Sequence, residues 1–248
     1  KLQGIITSRD IRFQKNGKIA KEIMTQREKI ITGKPGTLPE EAKEVLDKYR
    51  IEKLPLVDSE NRITGLITSR DILNNINRPY ASLDKRGRLL VGAAIGVKNY
   101  IERAKALVEA GVDVLVIDIA HGHSDVMGDA VSQLRQRFDN LLLVCGNVAT
   151  GDGARFLRDA GVDAVKVGVG PGRGCRTRLE TGAGVPQLQA IREVWAAVGG
   201  EVPIMADGGV RHDKDIFLAL ACGADTVMLG SALSGTDEAP GRVIEDPA

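Results

Sequence analysis

The stretch Val165–Gln187 reads VKVGVGPGRGCRTRLETGAGVPQ, and no other part of the chain concentrates as much potential chemistry. Gly168, Gly170, Gly172 and Gly174 fall within seven positions. With no Cβ in the way, backbone N–H and C=O groups of such a loop can approach a ligand closely. Cys175 follows, flanked by Arg173, Arg176 and Arg178, with Thr177 two residues on. Cationic neighbours favour the thiolate, which is the nucleophilic form. The plainer reading is an inert small hydrophobe, but a loop rich in glycine and arginine is a poor place to bury one. Cys145 and Cys222 sit in apolar surroundings and read as packing residues.

Three further motifs end apolar runs. Ala206-Asp207-Gly208-Gly209 and Leu229-Gly230-Ser231 each finish such a run. Each alone reads equally as a tight turn. Gly-Gly and Gly-Ser pairs at late strand ends of a barrel commonly cradle a phosphate, and an Asp at such a tip can accept both hydroxyls of a ribose. With Cys175 on the same rim, the two motifs point to a nucleoside monophosphate. In Asp118-Ile-Ala-His-Gly-His-Ser124, Asp118 is the candidate polar contact. His121 and His123 lack a third ligand at a familiar spacing, so a metal is not expected there. Asn147, in Cys145-Gly-Asn-Val148, holds the equivalent rim position of the next strand, or else simply forms a turn.

These residues need elements to place them. After residue 88, apolar runs alternate with amphipathic stretches. Strands are predicted at Leu89–Ile95, Val112–Ala120, Asn140–Val148, Ala164–Gly170, Val202–Ala206 and Thr226–Leu229. Helices are predicted at Tyr100–Ala110, Asp125–Phe138, Gly153–Ala160, Val185–Val198 and Asp213–Ala221. Nearly continuous hydrophobic strands indicate a sheet buried on both faces. Their spacing fits βα units of an α/β fold with a parallel sheet or barrel. Three helices end in one device, Ala-Gly-Val-Asp at 110–113 and 160–163 and Cys-Gly-Ala-Asp at 222–225, each with a C-terminal Gly. Six strands against the eight of a closed (β/α)8 TIM-type barrel imply an incomplete barrel.

A repeat lies ahead of this region. Gly4–Ile11 reads GIITSRDI and Gly65–Ile72 reads GLITSRDI. Each copy predicts a short strand, then a helix capped by Ser8 or Ser69 with an Asp in its first turn. Between the copies, Ile30–Ile31 predicts a strand, Leu38–Tyr49 a helix with Pro39 near its start, and Lys53–Val57 and Arg62–Thr68 a strand pair across the turn at Asp58–Asn61. The first copy lacks its own front half. The expected organisation is a small α+β region at 1–77, a polar linker at 78–88 carrying Pro79 and Gly87, and the barrel portion at 89–248. Starting at Lys1 and ending in EDPA, the sequence reads as an excerpt of a longer protein.

Composition bounds the rest. A 43% hydrophobic and 27% charged chain is globular rather than disordered. A net charge of +1 offers no general grip on nucleic acid. Gly is about 12% of residues against a usual ~7%, and aromatics are only 3%, which suits parallel α/β layers. An odd count of three cysteines suggests a reducing, cytoplasmic setting. The longest apolar stretch, around Val114–Ile119, is interrupted by Asp118 and falls far short of a membrane span.

Taken together, the PG-x-x-C-x-T-R loop followed by ADGG and LGS resembles the inosine-monophosphate dehydrogenase and guanosine-monophosphate reductase family, from Leu89 to Gly241. The paired TSRD repeats resemble cystathionine-β-synthase-type (CBS) modules, which dehydrogenases of this family insert into the barrel. The resemblance implies that Cys175 attacks C2 of the purine of IMP. Hydride passes to NAD, and water then releases XMP from a thioimidate. It assigns Asp207, Gly208 and Gly209 to ribose and phosphate, and Gly230 and Ser231 to phosphate. Arg173 stands where the family usually has a phosphate-binding Ser. Asp118, Gly168, Val169 and Gly170 match cofactor contacts, with Asn147 beside them. The carbonyls of Gly170, Gly172 and Cys175 match a K⁺ site. Thr177 and Glu238, the latter in Gly235-Thr-Asp-Glu-Ala-Pro-Gly241, match polar groups near the reacting centre. A flap with a water-activating Arg-Tyr pair would lie beyond Ala248. The runner-up is the reductase, which converts GMP to IMP and ammonia with NADPH and the same Cys. Its marks are Thr181-Gly182-x-Gly184 and Asp207–His212. A reading of another class is nucleotide sensing, with ATP or GTP at the CBS pair and Asp10 and Asp71 on the ribose. The family also implies a homotetramer.

Overall fold

In a computed structural model, which describes residues 1–12, 18–85, 87–138 and 140–241, the chain divides into two units, Lys1–Leu89 and Leu90–Ala248. The N-terminal unit opens with β1 (Gly4–Ile5) and α1 (Ser8–Ile11), then α2 (Ala20–Ile23) and β2 (Thr25–Gln26), which pairs antiparallel with β1. α3 (Pro39–Tyr49) begins with a proline, whose missing N–H is not needed in a first turn. β3 (Lys53–Val57) and β4 (Ile63–Thr68) form an antiparallel hairpin, and α4 (Ser69–Asn77) follows. Ala42, Leu46, Leu54, Leu56 and Ile72 form the core that joins α3, the hairpin and α4.

Two expectations are corrected here. Ile30–Ile31 is not a strand. The Ile30 N–H closes a turn on the Arg27 carbonyl, and the Arg27 guanidinium returns to the Ile30 carbonyl, so both backbone groups are taken. The bridge forms instead at Gly33, parallel to Leu56. The helix caps are Thr7 and Thr68, not the serines after them. Asp10 accepts from the Thr7 N–H and Oγ1 at 2.6 and 2.7 Å, and Asp71 does the same to Thr68 at 2.8 and 2.7 Å. A Thr three residues before an Asp lets each satisfy the other's backbone, so the cap falls one residue earlier than expected.

The C-terminal unit runs β5 (Gly92–Ile95), α5 (Tyr100–Glu109), β6 (Val114–Asp118), α6 (Asp125–Arg137), β7 (Leu142–Val148), α7 (Gly151–Asp159), β8 (Ala164–Val167), α8 (Thr177–Thr181), α9 (Gln187–Val198), β9 (Ile204–Asp207), α10 (Asp213–Ala221) and β10 (Thr226–Met228). The six strands are all parallel, and their order in space is their order in the chain. A doubly wound sheet reverses direction at a switch point; this one never does. Right-handed crossovers that always step the same way put every helix on one face, as in a barrel. The row Ile95, Ile117, Cys145, Val165, Ile204 faces the helices and packs with Met127, Leu134, Leu157, Ile191 and Val194 in one buried cluster. The adjacent row, on the opposite face, is Asp118, Gly146, Lys166, Met205, Thr226. The unit is thus six strands of an incomplete α/β barrel.

The repeated helix ending does two jobs. Gly111, Gly161 and Gly223 take positive φ just past α5, α7 and α10, and each donates back to the helix's last turn. The Asp two residues later then grips a neighbouring strand. Asp113, Asp163 and Asp225 donate their N–H to the carbonyls of Val91, Leu143 and Ile204. Each Oδ2 accepts the N–H of that same residue, at 2.8, 2.7 and 2.8 Å. This fixes where the strand begins to pair. β5, β6, β7 and β9 start two or three residues later than apolarity suggests, whereas β8 and β10 start where it places them. β6, β8 and β10 stop earlier, β9 runs one residue longer, and β5 and β7 end as expected; in β8, Gly168 turns at φ 147, so Gly168–Gly170 leaves the strand to begin the loop.

Candidate functional site

The site grows from the C-terminal ends of β6 to β9. Lys166 lies in the middle of β8 and is 1% exposed. A buried charge must be paired, and Lys166 Nζ reaches Asp118 Oδ1 at 3.0 Å and Asp207 Oδ2 at 2.5 Å. Gly146 stands between Asp118 and Lys166 in the row, and a Cβ there would meet the Lys166 backbone oxygen closer than 3.0 Å. Asn147 Nδ2 donates to the Gly168 carbonyl at 2.7 Å and to Asp207 Oδ2 at 3.0 Å. Gln187, the first residue of α9, donates Nε2 to the carbonyls of Val167 and Asp207 at 2.9 and 3.2 Å. Asn147 Oδ1 and Gln187 Oε1 are buried without a partner among the described residues.

The thiol lies on the loop that follows β8. The Cys175 N–H donates to the Gly172 carbonyl at 3.1 Å, and Cys175 Sγ is 3.3 Å from Thr177 Oγ1. That hydroxyl is the main cause of a thiol pKa below the ordinary value. The backbone amides of Thr177 and Gly170 add to it, and the Arg178 charge contributes least. The arginine cluster is therefore not what tunes Cys175. Arg176 is paired with Glu180 at the surface, Arg178 lays its stem against Gly170 and Gly184 and donates to the Val185 carbonyl at 2.8 Å, and Arg173 is exposed with no bond among the described residues. Cys145 is the opposite case: burial pushes its thiol up to about 12.

Gly208 and Gly209 follow β9 and pack against Pro171 and Gly172. The thiol loop and the Asp-Gly-Gly turn are therefore neighbours. A small cavity of about 60 Å³ adjoins the Asp-Gly-Gly turn, lined by Gln187, Ala206, Gly208, Gly209 and Asp215 among others. Val169 holds the loop's first residues by accepting the Val185 N–H at 3.1 Å. Gly230 and Ser231 sit at the end of β10, in an exposed turn leading into a short 3-10 helix, and Glu238 is exposed. Neither bonds to the Cys175 cluster among the described residues. His121 and His123 are surface residues, His123 tilted over Phe156 at 5.0 Å. The described residues hold no group of three or more His, Cys, Asp or Glu able to take a metal ion, and no helix among them is long and apolar enough to cross a membrane.

Lys166 and Gln187 escaped the reading of the sequence. A lone cation inside AVKV, in a strand buried on both faces, was the available signal for Lys166. Gln187 had none: a polar residue at a helix start is ordinary. The N-terminal unit carries its own cleft of about 300 Å³, with Thr7, Asp10, Lys29, Arg50, Glu52 and Lys53 on its walls.

Together, fold and site define an α/β-barrel protein with a thiol held below its ordinary pKa and an Asp-Gly-Gly turn at the strand C-terminal rim. Residues 9–247 match the family model described as the IMP dehydrogenase / GMP reductase domain, and the chain belongs to that family. It is 53% identical to the inosine-5'-monophosphate dehydrogenase of Nitrosopumilus maritimus and 51% to that of Aquifex aeolicus, in each case over 98% of this chain and 51% of the relative. Among solved structures, it superposes on a Cys-to-Ala GMP reductase of Trypanosoma brucei in complex with guanosine 5'-monophosphate. The TM-score is 0.90 at 44% identity, covering 100% of this chain and 52% of the other. The chain spans about half the length of the relatives it matches.

Proposed function

We propose that the protein containing this chain oxidises IMP to XMP, with Cys175 as nucleophile. The observation that carries this is the tuned Cys175 thiol on a loop packed against Asp207-Gly208-Gly209. The Cys175 thiolate adds to C2 of the hypoxanthine. A nicotinamide cofactor, held by the residues named below, would supply the acceptor for the hydride lost from C2, and Cys175 Sγ would then hold the purine as a thioimidate. Water then adds at C2, the C–S bond breaks, and Cys175 is regenerated. Splitting oxidation from hydrolysis gives two easier steps. Asp207 would take the ribose hydroxyls. Gly208, Gly209, Gly230, Ser231 and the free Arg173 would hold the phosphate.

For the cofactor, Asp118, Asn147, Gly168, Val169, Gly170 and Glu238 are the residues to hold it. The unpartnered Asn147 Oδ1 fits, because a carboxamide can donate to it. For K⁺, the carbonyls of Gly170 and Cys175 accept no hydrogen bond among the described residues, and Gly172 accepts only one. Three such oxygens on one loop suit a hard monovalent cation. In the N-terminal unit, the cations Lys29, Arg50 and Lys53 around one cleft favour a regulatory nucleotide polyphosphate.

A second reading, reduction of GMP by NADPH with the same thiol, is favoured by the close fold match to a GMP reductase. Absorbance at 340 nm of the full-length protein in K⁺ buffer separates the two. A rise with IMP and NAD is the expected result, and a fall with GMP and NADPH would replace it with the reductase. Silence in both, with Cys175 intact, would overturn both readings.

A further inference from the structure

We infer that Lys166 is a positioning residue that binds Asp118 and Asp207 into one unit, so that a change at Asp118 is felt by a ligand on Asp207. The inference rests on the proposal that Asp207 takes the ribose and Asp118 faces the cofactor. Lys166 is 1% exposed, whereas the Asp118 and Asp207 side chains are 51% and 24% exposed. Each carboxylate can turn to water, but the ammonium cannot, so its position depends on both. Asp207 Oδ2 takes the bonds from Lys166 and Asn147. Its Oδ1 takes none among the described residues and is left for a hydroxyl donor. How well that oxygen accepts depends on how much of the carboxylate's charge the ammonium already holds. While Asp118 shares the ammonium, Asp207 keeps more of its charge for the ribose.

Neutralising Asp118 therefore commits the ammonium to Asp207 and weakens binding of the nucleotide. Simple electrostatics predicts the reverse, since removing a negative charge beside a phosphate-bearing ligand should tighten it. The sign of the effect is the test. Isothermal titration of IMP into the full-length protein, with no cofactor present, reads it directly. Asp118→Asn is expected to weaken IMP about tenfold, within the usual range of coupling between sites. In a Lys166→Met background the same substitution should leave IMP affinity unchanged or tighter, because the link is gone. Unchanged or tighter binding by Asp118→Asn alone would overturn the inference, as would equal weakening in both backgrounds. If Lys166→Met does not fold, Lys166→Gln replaces it; if neither folds, the effect of Asp118→Asn alone decides. Failure of the unsubstituted protein to bind either IMP or GMP would sink the proposed function. Binding without the coupling would sink only this inference.

Discussion

Gly168 and the Asp207 carbonyl touch so closely that a Cβ on Gly168 would lie within 3.0 Å of that oxygen. The contact joins the end of β8 to the end of β9 where the thiol loop leaves the sheet. Gly168 also takes φ 147 and offers its carbonyl to Asn147. Gly168→Ala must therefore push β8 from β9 or bend the loop. It should cost about 3 kcal/mol, as overpacking against backbone does. Urea unfolding checks this through Trp195 on α9, the one tryptophan of this chain. A midpoint within error of the unsubstituted protein would refute it.

Thr177 should control the reactivity of Cys175. Its hydroxyl is the largest cause of the lowered thiol pKa, so Thr177→Val should raise that pKa and slow alkylation near neutral pH. Arg176→Gln should leave it unchanged, since Arg176 is spent on Glu180. The pH profile of iodoacetamide labelling, read by mass spectrometry at Cys175, distinguishes the two. Cys145, pushed up to about 12 and buried, should stay unlabelled throughout. An Arg176 variant that shifts the profile more than the Thr177 variant would restore the arginine explanation.

How much of this could be read from the sequence follows from how local each signal is. Order and type of the β5–β10 strands were legible, because each strand of a parallel sheet writes its own apolar run, although β5 and β10 at the two edges stay partly exposed. The positions of Asp118, Asn147 and Asp207 near strand ends were legible for the same reason, and that of Cys175 through the glycine-rich loop after β8. Strand limits were not, since Asp113, Asp163 and Asp225 set them through bonds to a different strand. Lys166 stayed hidden because its partners lie 48 and 41 residues away. The Thr caps are written in a longer spacing than Ser before a helix, since each depends on an Asp three residues on. Sequence shows Arg176 and Arg178 beside Cys175, but not that Arg176 is paired with Glu180 or that the Thr177 hydroxyl outweighs the Arg178 charge.

The three strand-gripping aspartates should not be equal. Asp163 Oδ2 accepts the Leu143 N–H and also pairs with Arg135 at 2.5 Å. Arg135 in turn donates to the carbonyls of Gly161 and Leu141 at 3.0 and 2.7 Å. Among the described residues, the Asp113 carboxylate grips only the Val91 N–H, just ahead of the edge strand β5. Asp163→Ala should cost roughly 2 kcal/mol and Asp113→Ala about 1, following the usual loss for charged and for single hydrogen bonds. Paired urea titrations measure both, and the reverse ranking would show that Arg135 holds its carbonyls unaided.

Asp215 gives the turn after β9 a pH dependence of known sign. Its Oδ2 accepts the N–H groups of Arg211 and His212, both at 2.9 Å, tying the Gly208–His212 segment to the start of α10. Those two amides hold its pKa below the ordinary 3.8. A carboxyl whose folded pKa is depressed stabilises the fold above its unfolded pKa, and that contribution is lost as pH falls through the folded value. Asp215→Asn keeps an acceptor but removes the charge. It should lower the melting temperature at about pH 7, and the gap to the unsubstituted protein should close as pH drops below 3.8. Melting curves of both proteins across that range test it. A gap that persists unchanged at the acid end would mean the carboxylate charge is not what anchors this turn.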